Sequence, residues 1–507
     1  MTRVSSVSAL ALMAMAGPSF ADITPQQAWD NLEAYMQGFG YEITATEDAA
    51  GDTLTVSGIT MTMAIPEEDG TATFTMPDLT YTAKGDGSVD VTLPGTGQMV
   101  VAFTAEDAES IEVAFDVVQS GMLLNVSGTE TDMLYTYEAE TLGFKLAGLT
   151  VEGESIPPEV MRGEITAGPV SGSSKVTVAD GVQTIAQEMT YGDMSYDVFF
   201  KNPETEDEMA MAKGMVKGVA AAGTSVIPEN ADFSDPANIF ASGMEMDATM
   251  THQGGQTEFN FQDGSDVVTG KLSSTGGELS FAMSPQAMTY AVSALGQTVS
   301  MMVPDMPFPI DAQFGEAGFA LEMPLAKSEE PVPASFSILL AEFTMADMLW
   351  NIFDPGQVLP RDPATIGANI EAEVTPFVSL MNPEDMAKVE TGEAMPGELN
   401  SVTLSDLVVK AIGAQILGEG AFTFDNTDLE SFDGLPRPEG EVKLEISGIN
   451  GVIDKLIQMG FVQEQDAMGA RMMLGMFTVP GSEPDTASST IVVNEQGHVL
   501  ANGQRIK

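Results

Sequence analysis

Catalysis needs nucleophiles, bases or metal ligands that can converge on one place, and this chain has few of them. It has no Cys and only two His among 507 residues. His252 sits in Thr251-His252-Gln253-Gly254-Gly255, and His498 follows Gly497 near the other end, so both read as turn or strand residues. Neither belongs to H-E-x-x-H, and without Cys a structural zinc site would have to be built almost wholly from carboxylates, a poor donor set for that metal. The nucleophile elbow, the P-loop and the dinucleotide fingerprint are absent. Paired carboxylates remain as the one catalytic device, but 75 Asp and Glu make spacing useless for choosing a pair. The calcium loop D-x-[DN]-x-[DN]-G-x5-E is unmatched too. Its nearest approach, Asp425-Asn426-Thr427-Asp428 with Glu430 and Asp433, is misspaced. The chain is therefore read as non-enzymatic, with no catalytic residue, cofactor or metal ligand assigned.

Two features carry binding chemistry instead. Arg361 stands between Pro360 and Asp362-Pro363 after an apolar segment. A guanidinium there can grip a carboxylate with two parallel hydrogen bonds or receive a ligand head group, and structural pairing is the stronger reading because Asp362 is adjacent. The second feature is methionine. Of 35 Met, Met1, Met13 and Met15 lie in the leader described below, and 32 remain. Met61, Met63, Met76, Met283 and Met301, with Phe74 and Phe115, occupy apolar strand positions and are the candidate lining for an apolar ligand. Met is flexible and polarisable, which suits a surface accepting varied apolar partners, although ordinary core filling competes with that reading.

Charge and the leader set the location. With 19 Lys and Arg the formal net charge is −56, which argues against nucleic acid and anionic membrane surfaces as partners. Residues 1–21 read as a cleavable secretory signal, with Arg3, an apolar run over 7–16, a Gly17-Pro18 break and small residues at Ser19 and Ala21. No later apolar stretch reaches the ~20 residues a membrane helix needs. The expected location is the periplasm, with no transmembrane helix after cleavage. An oxidising compartment permits disulfides without requiring them.

The elements follow from periodicity. Thr24, Pro25 and Gln27 make a capping box with Pro at the first helical position, and Ala28, Trp29, Leu32, Tyr35, Met36 and Phe39 form one apolar stripe. From Tyr41 to about Phe200 the pattern alternates with period 2, with a phase slip at Gly58 that predicts a β-bulge and a turn at Lys84-Gly85-Asp86-Gly87. Met209, Met211, Met215, Val216 and Val219 suggest a second helix over about 204–222, followed by a linker to 236. A hairpin is expected to pair 288–294 with 298–303 around Leu295-Gly296-Gln297. Thr344 is expected to cap a helix over 344–353, and two more helices are expected within 451–477, before a hairpin at Glu495-Gln496-Gly497. The chain thus divides into a helix and β-meander over 22–203, a helical crossover and linker over 204–236, and a β region over 237–507. The fold class is mainly β, a large antiparallel sheet, curved or U-folded into a groove or sandwich, with a few short helices plugging its ends.

Ile23-Thr24-Pro25-Gln26-Gln27-Ala28-Trp29 with Gly40-Tyr41-Glu42 resembles the opening of an alphaproteobacterial exported family known as domain of unknown function 2125. Leu359-Pro360-Arg361-Asp362-Pro363-Ala364 resembles that family's central motif. The order of strand 420–424, strand 441–446, two helices and a closing strand with Asn502-Gly503 is similar to its C-terminal part. The resemblance implies an envelope location and a β-rich fold and brings no catalytic residue. The layout is also similar, at fold level alone, to the β-grooves of envelope lipid carriers. The function expected is binding of lipid or another apolar molecule along the inner face of the sheet. The alternative is an envelope scaffold or assembly factor that takes protein partners at its sheet edges.

Overall fold

The computed structural model describes residues 23–65, 70–105, 108–205, 207–229, 231 and 242–507. The expected leader, 1–21, lies outside them. The first helix, α1 (Pro25–Gly38), forms as its capping box predicts: Thr24 Oγ1 accepts from the Gln27 N–H at 3.2 Å, and Gln27 Oε1 accepts from the Thr24 N–H at 3.0 Å. Its indole anchors it to the sheet, with Trp29 Nε1–H donating to Glu47 Oε1 at 3.0 Å.

After α1 the strands form one antiparallel sheet in which hairpin neighbours pair and many strands also pair with strands further along the chain: Gly70–Thr75 with Thr96–Ala105, Val89–Thr92 with Leu123–Thr129, Met209–Val216 with Gly255–Asp263, and Glu245–His252 with Gly276–Met283. Glu42–Ala50 pairs with Thr53–Ile65, and the predicted bulge is present, because Thr44 faces Thr60 while Thr46 faces Ser57, with Gly58 at φ 61°. The strands are long: Met161–Ala179 has 19 residues and Val182–Lys201 has 20. Glu42–Ala50 at one edge and Gln504–Arg505 at the other have one partner each among the described residues, so the sheet stays open.

A crease crosses the long strands. Gly192 lies against Gly168-Pro169, Gly218 against Gln253, Gly254 against Thr275, Gly296 against Thr275, and Gly315 against Glu342. Gly218, Gly254, Gly296 and Glu342 adopt φ of 53°, 98°, 53° and 54°. The apolar positions change parity there: Met288, Tyr290 and Val292 precede Gly296, and Val299 and Met301 follow it. A residue in the left-handed region resets the pleat in this way.

This crease accounts for two departures from expectation. The hairpin expected around 295–297 is instead one strand, Ala287–Met302, bent at Gly296, and the true hairpin turn is at 284–286, joining it to Gly276–Met283. The helix expected over 204–222 is a pair of strands, Met209–Val216 and Val219–Ile227, separated at Gly218. Ala, Met and Lys favour helix locally, but Val182–Lys201 on one side and 245–263 on the other offer this segment a full set of ladder hydrogen bonds, which outweighs the weak propensity. Both strands are therefore laddered to their neighbours, and between them the Lys217 N–H donates to the Gly254 carbonyl at 2.9 Å. Of the expected linker, 230 and 232–236 lie outside the described residues.

Short helices interrupt the C-terminal half: α2 (Asp347–Phe353), α3 (Pro383–Glu390), α4 (Ile449–Gln458) and α5 (Glu464–Phe477). Thr344 lies within strand Val332–Met345 rather than capping a helix, and Ala346 is the N-cap of α2, without a side-chain bond. Asn382 caps α3 through its Oδ1, a signal present in Asn382-Pro383 but not read from the sequence.

The packed core belongs to the first strands. Trp29, Leu54, Val56, Tyr81, Val89, Val91, Val126 and Met133 are each 2% exposed or less. Ile185 and Ile227 extend this cluster towards the middle of the sheet. Beyond them, apart from a small cluster at Ala139, Ala167 and Val170, most of the described apolar side chains are only half-buried.

Candidate apolar ligand-binding face

Cross-strand pairing aligns side chains of one face into rows, because directly opposed residues point the same way. One row begins under α1 with Leu54, Tyr81, Val91, Leu124 and Tyr137. It continues through Gly172, Met189, Ala221, Met250 and Leu279. Val292, Phe319, Ile338 and Ala368 carry it across the C-terminal half, and Leu407, Gly418 and Leu444 bring it to Ser489. A charged residue appears nowhere in it, although the chain holds 75 acids. At about 4.8 Å per strand the row is about 80 Å long. A second row runs beside it from Val89 and Val126 through Phe281, Tyr290, Leu321 and Phe336 to Ile491.

These rows are open in the middle. Val292 and Ile338 are 37% exposed and Met250 45%, although each lies between apolar partners on its face. The opposite face carries Asn369, Glu371, Glu373 and Thr403, so polarity separates the two sides here by alternation. Both ends of the first row are covered. α1 lies over its start, and at its finish Ser489 Oγ donates to the Phe477 carbonyl at the end of α5 at 2.6 Å.

The start of the row contains a cavity of about 110 Å³ between α1 and the sheet, lined by Asn31, Tyr35, Tyr81, Tyr135, Tyr137, Ser174 and Gln187 with apolar neighbours. Tyr135 O–H donates to Asn31 Oδ1 at 2.8 Å. The Tyr81 hydroxyl is buried and has no partner among the described residues. Burial, with a smaller repulsion from Tyr135, raises the Tyr81 phenol well above its ordinary value, and burial does the same to Tyr135. Burial also raises Tyr35 and Tyr137. These tyrosines were not singled out in the sequence. Their only signal there is the spacing of Tyr135 and Tyr137, which puts both on one face of a strand.

The candidate lining residues fall into two groups. Met61 is buried opposite Phe74, Met63 faces Ala72, and Met76 packs against the core under α1. Phe115, between Met99 and Leu146, is half-buried, as are Met301, between Gly270 and Ile310, and Met283. Met246, Met283, Met288 and Met323 are successive cross-strand partners, a ladder of four thioethers on the open face.

Arg361 lies away from these rows, at α2. It pairs with Asp347, donates to Asn351 Oδ1 at 2.8 Å and to the Asp354 carbonyl at 3.3 Å, and stacks near Trp350. Asp354 beneath it is 1% exposed and accepts from the Val358 and Leu359 N–H groups, both at 2.9 Å. The acidic cluster at 425–428 is held by Arg437, whose guanidinium reaches Asp425 at 2.9 Å and Asp428 at 3.1 Å. Among the described residues no group of three or more His, Asp or Glu is arranged to hold a metal ion. His252 Nδ1 accepts from the Gly254 N–H at 3.1 Å within the crease, while His498 lies in the final hairpin, with strands 255–447 between them in the sheet. No described helix is long and apolar enough to cross a membrane.

Fold and face together define a mainly β protein built as one open antiparallel sheet with an apolar side. The chain belongs to the family known as domain of unknown function 2125, described as an uncharacterized protein conserved in bacteria, whose family model matches residues 230–503. That span contains Leu359–Ala364 and the C-terminal strand and helix order, while the Ile23–Trp29 segment precedes it. No curated protein matches the chain.

Proposed function

We propose that this chain is a non-catalytic protein of the bacterial periplasm that binds lipid or another long apolar molecule along the open rows of its sheet. The observation that carries the reading is the uncharged row from Leu54 to Ser489, half-exposed through its middle and covered by helices at both ends. Apolar side chains left 37–45% exposed on a continuous surface lose dispersion contacts and order water, so an acyl chain laid along them is stabilised by about 0.8 kcal/mol per buried methylene. Scattered exposed Leu or Ile would need no such account.

Protein purified from the periplasm should carry an acyl-chain adduct, seen by native mass spectrometry and recovered by solvent extraction. Ile338→Asp places a charge in the open part of the row, where the chain folds around no closed core, so the adduct should fall while the fold persists. An adduct-free wild-type protein would sink the reading. Strand addition by a protein partner is the second reading, supported by the single-partnered edge Glu42–Ala50. That edge carries Glu42, Glu47 and Asp48, and charges of this kind oppose edge-to-edge pairing.

A further inference from the structure

The cavity under α1 differs from the rest of the apolar face in one respect: it is polar without being charged. Its lining offers Tyr35, Tyr81 and Tyr137 hydroxyls and the Asn31 amide, and neither a carboxylate nor a cation. Tyr135 has its acceptor in Asn31, while the Tyr81 hydroxyl, on a side chain 2% exposed, has none among the described residues. Tyr81, Val91, Leu124 and Tyr137 line the cavity and are also members of the long row, so cavity and row are continuous. At about 110 Å³ it has room for several waters or a small head group.

We infer that this cavity seats the uncharged polar end of an amphiphile whose chain runs out along the row, with the tyrosine hydroxyls and the Asn31 amide donating to its carbonyl or hydroxyl oxygens. The inference rests on the apolar-chain reading above and narrows it to a ligand class: long-chain alcohols and monoacylglycerol-like esters. A fatty-acid carboxylate or a phosphate would be desolvated there with no cation to meet it, which costs far more than a neutral head group does. The phenols suit the task because a phenol, with its ordinary value near 10, is protonated and so a donor through the physiological range.

The test uses the full mature chain and three probes: diphenylhexatriene, which has no head group, monoolein, and oleate at pH 8. Diphenylhexatriene fluorescence should report binding, and monoolein should displace it at least tenfold more effectively than oleate. Tyr81→Phe and Tyr35→Phe should each weaken monoolein by about three- to tenfold, the range of one neutral hydrogen bond, and weaken monoolein more than diphenylhexatriene, which has no head group to receive that bond. Tyr81→Phe should also raise the unfolding midpoint of the ligand-free protein, because it removes a buried hydroxyl with no partner, so a loss of monoolein affinity would not be a folding defect. Monoolein binding unchanged in both variants, or oleate binding as well as monoolein, would overturn the inference and leave a water-filled cavity. Failure of diphenylhexatriene itself to bind would instead remove the apolar-chain reading on which the inference stands.

Discussion

Trp29 is buried where its place in the sequence predicts. Its position on the apolar stripe of α1 predicts a core anchor, and it is 2% exposed, edge-on to Tyr81 at 6.2 Å between ring centroids. Trp29→Ala should cost about 3–5 kcal/mol in denaturant unfolding, as large-to-small core changes do. The tyrosines around it make a second prediction. Tyr35, Tyr81, Tyr135 and Tyr137 have raised values in the fold, so the native state holds these protons more tightly than the unfolded chain does. The stability they confer is complete below the ordinary phenol value near 10 and is lost as pH rises through the native values. An ultraviolet titration should therefore show fewer phenolates than the eight tyrosines of the chain until the protein unfolds in alkali. Ionisation of all eight near pH 10 with the fold intact would contradict the burial.

Elements are held at positions where local sequence gives little guidance. The N-cap of α4 is Gly448, which has no capping side chain. Asp485, from the strand connection after α5, supplies the cap: it accepts from the Asn450 N–H at 3.1 Å and the Gly451 N–H at 2.8 Å. Desolvation opposes its ionisation, yet these donors prevail and hold its carboxyl below the usual range. Asp485→Ala should cost about 1 kcal/mol, the worth of a helix cap. That contribution is present above the ordinary carboxylate value and fades as pH falls through the lower native one, so wild type and variant should converge in acid unfolding. The crease makes the other element-scale prediction. A Cβ on Gly296 would lie 2.5 Å from Thr275 Oγ1 at a φ of 53°, so Gly296→Ala should lower stability by about 1–2 kcal/mol or more, measured by thermal unfolding.

At the scale of the whole molecule the excess of carboxylates dominates. A net charge of −56 is spread over a sheet with few cations to pair with it, and the ion pairs present, such as Lys175 with Asp132 at 3.4 Å, are largely exposed. Exposed pairs stabilise little, whereas the accumulated repulsion is screened over roughly 8–10 Å at moderate salt. Added monovalent salt should therefore raise the unfolding midpoint, and a midpoint indifferent to salt would count against unscreened repulsion. The same charge sits on the polar face and leaves the apolar rows untouched, which keeps the sheet apart from other acidic bodies without hindering a neutral ligand.

Period-2 alternation, the capping box of α1, the bulge at Gly58 and the two closing helices were legible in the sequence because each rests on neighbours a few residues apart. So were the absence of thiol chemistry and the excess of acid. The strands at 209–227 were not legible, since Ala, Met and Lys favour helix locally and only the flanking strands supply the hydrogen bonds that make the segment extended. Gly296 could be read as a turn from its type, but it is a bend within one strand because Thr275 and Gly315 on neighbouring strands place the crease at the same level. Met61 and Met301 look alike in sequence, yet one is buried and the other lies half-open, because α1 and its core cover only the first strands. Alternation determined which side chains share a face. Which parts of that face are closed and which stay open was decided by where the helices land, a matter of contacts between residues far apart in the chain.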